Sequence, residues 1–363
     1  MYFVPERSLK NSGSSRRTEE TMKKLLAIVL CAAAVAGLTS CGAEKNDGHS
    51  SETTEAQTET GSALEDKHRL GLGITVSTAA SKTGTAQVDA TFAAVVTDKD
   101  GRITDCVVDT AQSKLSVADG SVATGGEYFT KAERGDEYGM KSASGIGKEW
   151  YEQAEAFSAY VRGKTAEEVL QIEVKTTDNG EVAAQPDLLS GCTVTITDMK
   201  EAVAKAASDK NAVAFSGSDF TLGAGAVTDD SSSQSATDSA DGVAALYSAV
   251  AACVTDKGGN ILAASVDEIQ PKITFDSSGG ITGNSYKGTK KEQGDDYGMR
   301  SASSIGKEWY QQAEAFGRYV TGMDAQAMES ALAGDKKDDT LLSSCTVTVD
   351  KLAAALKKAM AVK

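Results

Sequence analysis

The chain has 363 residues with 37 basic and 52 acidic side chains, and its formal net charge is −15 at pH 7. A surface this acidic repels polyanions, which argues against nucleic acid and anionic lipid headgroups as partners. The length allows about two domains of ordinary size, each able to bury a core.

The N-terminal region has the pattern of an export signal. Met22, Lys23 and Lys24 are followed by an apolar run from Leu25 to Leu38, which is too short to be a permanent membrane span. The sequence Leu-Thr-Ser-Cys at positions 38–41 resembles the bacterial lipobox, in which the cysteine is acylated. We therefore expect a signal peptide at 22–40, a lipid on Cys41, and a position on the extracytoplasmic face of the cell membrane.

The flanking segments complete this organisation. Residues 1–21 are polar and fit neither a signal nor a domain, so we interpret them as a start codon placed too early. Residues 41–67 are rich in Ser, Thr, Glu, Asp and Gly, which predicts a disordered tether behind the lipid anchor.

A long internal repeat determines the predicted architecture. Residues 136–163 and 295–322 are identical at 21 of 28 positions, and shorter matching blocks lie before and after them in the same order. Because solenoid repeats are far shorter, this pattern indicates a duplicated domain. We predict one copy at 68–208, a linker and divergent strand at 209–241, and a second copy at 242–363.

Within each copy the patterns predict an α+β fold. Two apolar runs, Phe92 to Thr97 and Ile103 to Val108, flank a glycine-containing turn and predict a β-hairpin. A stripe of apolar residues at helical spacing predicts an amphipathic helix: Trp150, Ala154, Phe157 and Val161. Ser190 to Ile196 has strand composition, and Asp198 with Glu201 predicts a capping box for a last helix ending at Ala207.

The stretch from Asp187 to Thr195 reads Asp-Leu-Leu-Ser-Gly-Cys-Thr-Val-Thr and is the most informative of the chain. It resembles the Asp-x-x-Ser-Gly-Ala-Thr-x-Thr signature of the FMN-binding domain family, whose members carry FMN on the motif threonine through a phosphoester made by a flavin transferase. The resemblance implies FMN on Thr193 and Thr346, with Ser190, Gly191, Cys192, Ser343 and Cys345 forming the rest of the two motifs.

The sequence departs from that signature in two ways, and both departures are present in the second copy. Cysteine replaces the signature alanine in both copies, and Ser344 replaces the glycine in the second. If close backbone approach at the glycine matters, the second threonine is the poorer acceptor. The alternative for both threonines is an ordinary position in an alternating edge strand.

Four cysteines remain after Cys31 and Cys41 are assigned to the signal and the lipid: Cys106, Cys192, Cys253 and Cys345. Three interpretations stay open. The four cysteines are small buried hydrophobic side chains, or they form disulfides that pair 106 with 192 and 253 with 345, or they are redox-active thiols beside a flavin. Since the only two histidines lie near the tether, no cysteine–histidine cluster has the spacing of a zinc site, and no metal is expected.

The anchor, tether and doubled domain are similar to the two-flavin, lipid-anchored electron carriers of Gram-positive bacteria. That resemblance implies an electron carrier, rather than a catalyst, whose donor is a membrane partner such as a quinol-linked dehydrogenase. The alternative is a flavin-free surface lipoprotein that acts as a ligand-binding or adhesive module. An enzyme is the weakest hypothesis, since the sequence has no Ser-His-Asp set, metal cluster or phosphate-binding glycine loop.

Overall fold

The computed structural model describes residues 67–178, 180–333 and 338–361. The predicted start, signal peptide, Cys41 and almost all of the predicted tether lie outside these residues. No helix within the described ranges combines the length and apolar character needed to cross a bilayer.

The strands of the described residues form four antiparallel sheets. Their bounds are β1 Lys67–Ser77, β2 Thr85–Thr97, β3 Ile103–Ser116, β4 Val174–Thr177, β5 Gly180–Ala183, β6 Val213–Ser216, β7 Thr221–Asp229, β8 Gly242–Ala245, β9 Tyr247–Thr255, β10 Ile261–Ile269, β11 Lys272–Phe275 and β12 Ile281–Ser285. Hydrogen bonds give the sheet orders β3-β2-β1-β6, β10-β9-β7, β12-β11-β8 and β4-β5. The range 209–241, predicted as linker and divergent strand, contains both β6 and β7.

Ten α-helices lie among the described residues. They are α1 Lys131–Arg134, α2 Trp150–Val161, α3 Ala166–Leu170, α4 Pro186–Leu189, α5 Thr197–Ala207, α6 Lys290–Gln293, α7 Trp309–Val320, α8 Ala325–Leu332, α9 Asp339–Leu342 and α10 Asp350–Met360. The predicted mixture of helices with antiparallel sheet is therefore confirmed.

Two of the local predictions are confirmed in detail. The hairpin is β2 and β3, which pair from Thr85–Ser116 to Thr97–Ile103. Its turn is held by the Asp98 carboxylate, which accepts hydrogen bonds from the N–H groups of Asp100 and Arg102. The predicted apolar stripe is the buried face of α2.

The two larger sheets, β3-β2-β1-β6 and β10-β9-β7, pack face to face, and helices cover their outer faces. Along β2, Phe92, Ala94 and Val96 belong to a central core shared with strands of the second half. The alternate residues Ala93 and Val95 belong to a separate outer core with α2 and α5, as the two-residue period of a strand requires. An equivalent outer core covers the second sheet. Burial on both faces explains why these strands read as continuous apolar runs.

Reciprocal ion pairs link the two halves. Lys205 of α5 contacts Glu292 of α6 at 2.7 Å, and Lys358 of α10 contacts Glu133 of α1 at 2.7 Å. The same helix of each half therefore contacts the same short helix of the other, as in an isologous interface.

The predicted last helix and its end at Ala207 are confirmed, since α5 spans Thr197–Ala207, but the strand at 190–196 and the capping box were wrong. Residues 190–196 form no strand but an irregular loop that follows the short helix α4. Pro186 at the first turn favours the helix. The predicted capping box is absent, because α5 begins at Thr197 with Ile196 at its N-cap and no side-chain cap.

Candidate functional site

The motif loop lies between α4 and α5 and is fixed from both ends. Cys192 N–H donates to Leu188 O at 2.8 Å, and the Ser190 hydroxyl donates to Asp187 O at 2.8 Å. Cys192 and Leu188 are buried in the outer core of the first half. The cysteine thus anchors the loop as a small apolar side chain, while Ser190 is exposed.

Gly191 is required by crowding and not by backbone conformation. A Cβ at this position would lie 2.9 Å from the Cβ of Ala156 on α2. Its φ is outside the left-handed region. The motif loop is therefore pressed against α2 at this residue.

A fully buried glutamine on α2 positions Thr193. Gln153 Oε1 accepts from the Thr193 N–H at 2.8 Å and from the Thr193 hydroxyl at 3.1 Å. Gln153 is 0% exposed, whereas Thr193 is half-buried. One amide oxygen therefore fixes both the backbone and the side chain of the predicted acceptor.

The same glutamine is held at its other end by the loop that precedes α2. Its Nε2 donates to the Ser144 hydroxyl at 3.2 Å and to the Lys148 carbonyl at 3.1 Å. Glu149, 2% exposed, accepts from the N–H groups of Met140 and Lys141, both at 2.8 Å. These bonds explain much of the identity between residues 136–163 and 295–322, because residues of that block position the glutamine.

The second half repeats these contacts. Thr346 donates through its N–H and hydroxyl to Gln312 Oε1 at 2.8 and 3.1 Å. Gln312 Nε2 donates to Ser303 and to the Lys307 carbonyl at 3.1 and 3.0 Å. The Ser343 hydroxyl donates to Thr340 O at 2.8 Å, as Ser190 does to Asp187 in the first half.

A cavity of about 590 Å³ opens beside Thr193. Its polar wall includes Thr193, Gln153 and Ser144. Its remaining wall is largely apolar or aromatic, with Lys131 at one side, and includes Met140, Trp150, Val182 and Leu189. This size and this lining are typical of sites for small molecules and cofactors.

The hairpin of β4 and β5 forms part of the cavity wall through Thr177 and Val182. It is tied to the motif loop, since Glu181 O accepts from Ile196 N–H at 2.9 Å and the Glu181 carboxylate accepts from the Thr197 hydroxyl at 3.0 Å. In the second half, the described residues between α7 and α9 form α8 and no strand. Among the residues described beside Thr346, the hairpin therefore has no counterpart.

A lysine–aromatic cluster adjoins the cavity. Lys131 Nζ lies 5.1 Å from the centroid of the Trp150 ring and 5.3 Å from that of Tyr138, within the range of a cation–π contact. Lys131 is the first residue of α1, whose Ala132 N–H donates to Asp109 at 3.0 Å. Burial raises the pKa of Asp109 to about 6, against the opposing effect of its hydrogen bonds.

The cysteines of the described ranges, Cys106, Cys192, Cys253 and Cys345, are buried thiols and not disulfides. The predicted pairings 106–192 and 253–345 are therefore absent from the structure. Burial raises the pKa of Cys106 and Cys253 to about 12 and that of Cys192 to about 11. Because a thiolate is the reactive form, the three thiols whose pKa is raised are unreactive at neutral pH.

Among the described residues, no group of three or more His, Cys, Asp or Glu side chains could hold a metal ion. The chemistry available at the site is that of a hydroxyl, amides, an ammonium group and aromatic surface. Sequence reasoning missed Gln153, Lys131 and the β4–β5 hairpin. The signal for the first two was present, since Gln312 and Lys290 occupy the same places in the repeat.

Comparison with known proteins gives one short match. A 47-residue segment is 49% identical to the chlorophenol reductase of Desulfitobacterium hafniense, and it covers 13% of this chain and 14% of that protein. No family model matches the chain. No solved structure matches it either.

Proposed function

We propose that this chain is a lipid-anchored, extracytoplasmic electron carrier built from two tandem FMN-binding-like domains. Thr193 and Thr346 are its flavin acceptors, each joined to FMN through a phosphoester. The observation that supports the proposal most is the position of Thr193, which a buried glutamine holds at the wall of a cavity of about 590 Å³. The flavin supplies the redox chemistry, and the protein sets its place and potential.

The cavity fits the chemistry of FMN. A phosphate at Thr193 would lie at the polar wall formed with Ser144 and Gln153, while a flat aromatic ring system would face Trp150, Met140 and Leu189. The Ser-Gly-Cys-Thr motif resembles the Ser-Gly-Ala-Thr signature of the FMN-binding domain family, from which it differs at the cysteine. A covalent link also prevents an exported protein from losing its cofactor to the medium.

Esterification changes the bonding around Thr193. The Oγ1–H bond breaks, the proton leaves, and an Oγ1–phosphorus bond replaces the bond to the leaving group of the flavin donor used by the transferase. The hydroxyl hydrogen now donated to Gln153 is thereby lost. The bond from Thr193 N–H to the same oxygen remains, so Gln153 still holds the loop after modification.

The proposed partners are a flavin transferase for maturation and a membrane redox donor such as a quinol-linked dehydrogenase. The protein matched over 47 residues is a reductase, which is compatible with a redox role, although the match covers a small part of either chain. The acidic net charge of −15 favours partners with basic docking surfaces.

The test is in-gel flavin fluorescence of the denatured protein from its own host, with intact mass measured alongside. We expect fluorescence that survives denaturation, falls in Thr193→Val and Thr346→Val, and disappears in the double variant. Thr83→Val and Thr348→Val are controls, since both are exposed threonines and neither is among the residues that line the cavity beside Thr193. Their flavin content is expected to be unchanged.

An unmodified mass in the wild-type protein would refute the electron-carrier proposal. It would leave a flavin-free surface lipoprotein with a ligand-binding or adhesive role. Modification of Thr193 alone would restrict the proposal to the first half, where the β4–β5 hairpin completes the cavity.

A further inference from the structure

The lysines beside the two aromatic clusters occupy equivalent positions but differ in charge balance. Lys131 and Lys290 each follow the N-cap threonine of a short helix. Lys290 Nζ lies 5.0 Å from the Trp309 centroid and 5.1 Å from that of Tyr297. These distances match those around Lys131 within 0.2 Å.

Only the second lysine has a carboxylate partner. Lys290 forms an ion pair with Glu268 of β10, and both side chains are largely buried. Within the described ranges, Lys131 forms no ion pair. Asp198 is close enough for Lys131 to lower its pKa, but burial dominates and the pKa of Asp198 is raised overall.

The residue equivalent to Glu268 in the first half is Thr110. Asp109 accepts from the N–H groups of Thr110 and Ala132, just as Asp267 accepts from those of Glu268 and Lys291. The Thr110 hydroxyl lies 2.9 Å from that of Thr91 on the neighbouring strand. A neutral pair therefore stands where the second half has a carboxylate.

We infer that the two flavin sites have different reduction potentials, with the first-half flavin the stronger electron acceptor. The inference rests on the proposed function. Reduction places added electron density on the flavin ring, and an ammonium group beside the cavity that forms no ion pair stabilises that density more than one paired with a carboxylate. Lys131 lines the cavity next to Thr193, whereas Glu268 cancels the charge of Lys290.

The asymmetry gives the carrier a direction. Electrons passing between the two sites would move from the second-half flavin, which would be oxidised, to the first-half flavin, which would be reduced, and the accompanying protons would exchange with solvent. A final acceptor would then take electrons from the first half, where Thr177 and Val182 of the β4–β5 hairpin line the cavity.

The experiment measures the potential of each flavin separately in the flavinylated full chain. Thr346→Val leaves only the first flavin and Thr193→Val only the second. Spectroelectrochemical titration is expected to give the higher potential for the first. In the Thr346→Val background, the double substitution Thr91→Ala with Thr110→Glu introduces the carboxylate of the second half into the first. Thr91 becomes alanine because Ala249 is the residue that pairs with Glu268 in the second sheet.

The double substitution is expected to lower the first potential by about 30 mV or more, which is a tenfold change in the ratio of oxidised to reduced flavin for a two-electron couple. Glu268→Thr in the other background should raise the second potential. Lys131→Met removes the charge while keeping an unbranched side chain over Trp150, and it should lower the first potential even if a carboxylate at position 110 prevents folding.

Loaded flavin with unchanged potentials in these variants would overturn the inference and leave the proposed function intact. Absence of flavin from both backgrounds would overturn the two together. If Thr346 takes no flavin, the first-half variants still test the inference. A first-half potential that changes neither in Thr91→Ala with Thr110→Glu nor in Lys131→Met refutes the role of Lys131.

Discussion

Replacing Gln153 with leucine should destabilise the protein by about 3 kcal/mol. The side chain is 0% exposed and its amide forms bonds to the Thr193 N–H and the Lys148 carbonyl. Leucine is of similar volume, so little cavity cost is added. Each backbone group that loses a buried partner costs about 1–3 kcal/mol, and the half-buried Thr193 recovers part of this through water.

Equilibrium urea unfolding followed by tryptophan fluorescence measures the effect, since each half has one tryptophan, Trp150 and Trp309. With a slope of about 3 kcal/mol per molar urea, the midpoint should fall by about 1 M. Gln171→Leu is the matched control, an exposed glutamine bonded only to Glu167, and should change stability by less than about 0.5 kcal/mol. Equal midpoints for Gln153→Leu and this control would refute the structural role of the buried amide.

Two further perturbations follow from the same site. Because burial raises the pKa of Asp109 from 3.8 to about 6, its contribution to stability is fully present below pH 3.8 and is lost as the pH rises through 6, by on the order of 3 kcal/mol. Asp109→Asn should therefore gain stability relative to wild type between pH 4 and 6, and parallel urea midpoints across that range would contradict the burial effect. Gly145 lines the cavity and an added Cβ meets nothing within 4 Å, so Gly145→Leu should lower flavin loading of the first half without shifting the unfolding midpoint. Gly145→Ser, which copies Ser304, should leave both unchanged, and normal loading of the leucine variant would move the flavin elsewhere.

The sequence allowed the long elements to be predicted but not the site itself. The apolar spacing from Trp150 to Val161 and the turn after Thr97 report burial and local geometry, which a single segment contains. The Thr-Val-Thr stretch misled because its alternation also fits a loop whose alternate residues are buried. What fixes that loop is Gln153, 40 residues earlier, and a pairing of that kind leaves no local pattern. The tight contact of the motif loop with α2, which requires Gly191, depends equally on a distant residue, Ala156.

The central core has a consequence for how this protein can be dissected. Phe92 and Leu70 of the first half pack in the same cluster as Leu246 and Phe275 of the second. A half-chain would expose this apolar sheet face to water, and a second copy of the same half could cover it in the isologous manner. Truncation should therefore yield self-associating fragments, as if the molecule were a homodimer whose subunits share one polypeptide. Point substitutions, and not single-half fragments, are the sound way to assign a property to either site.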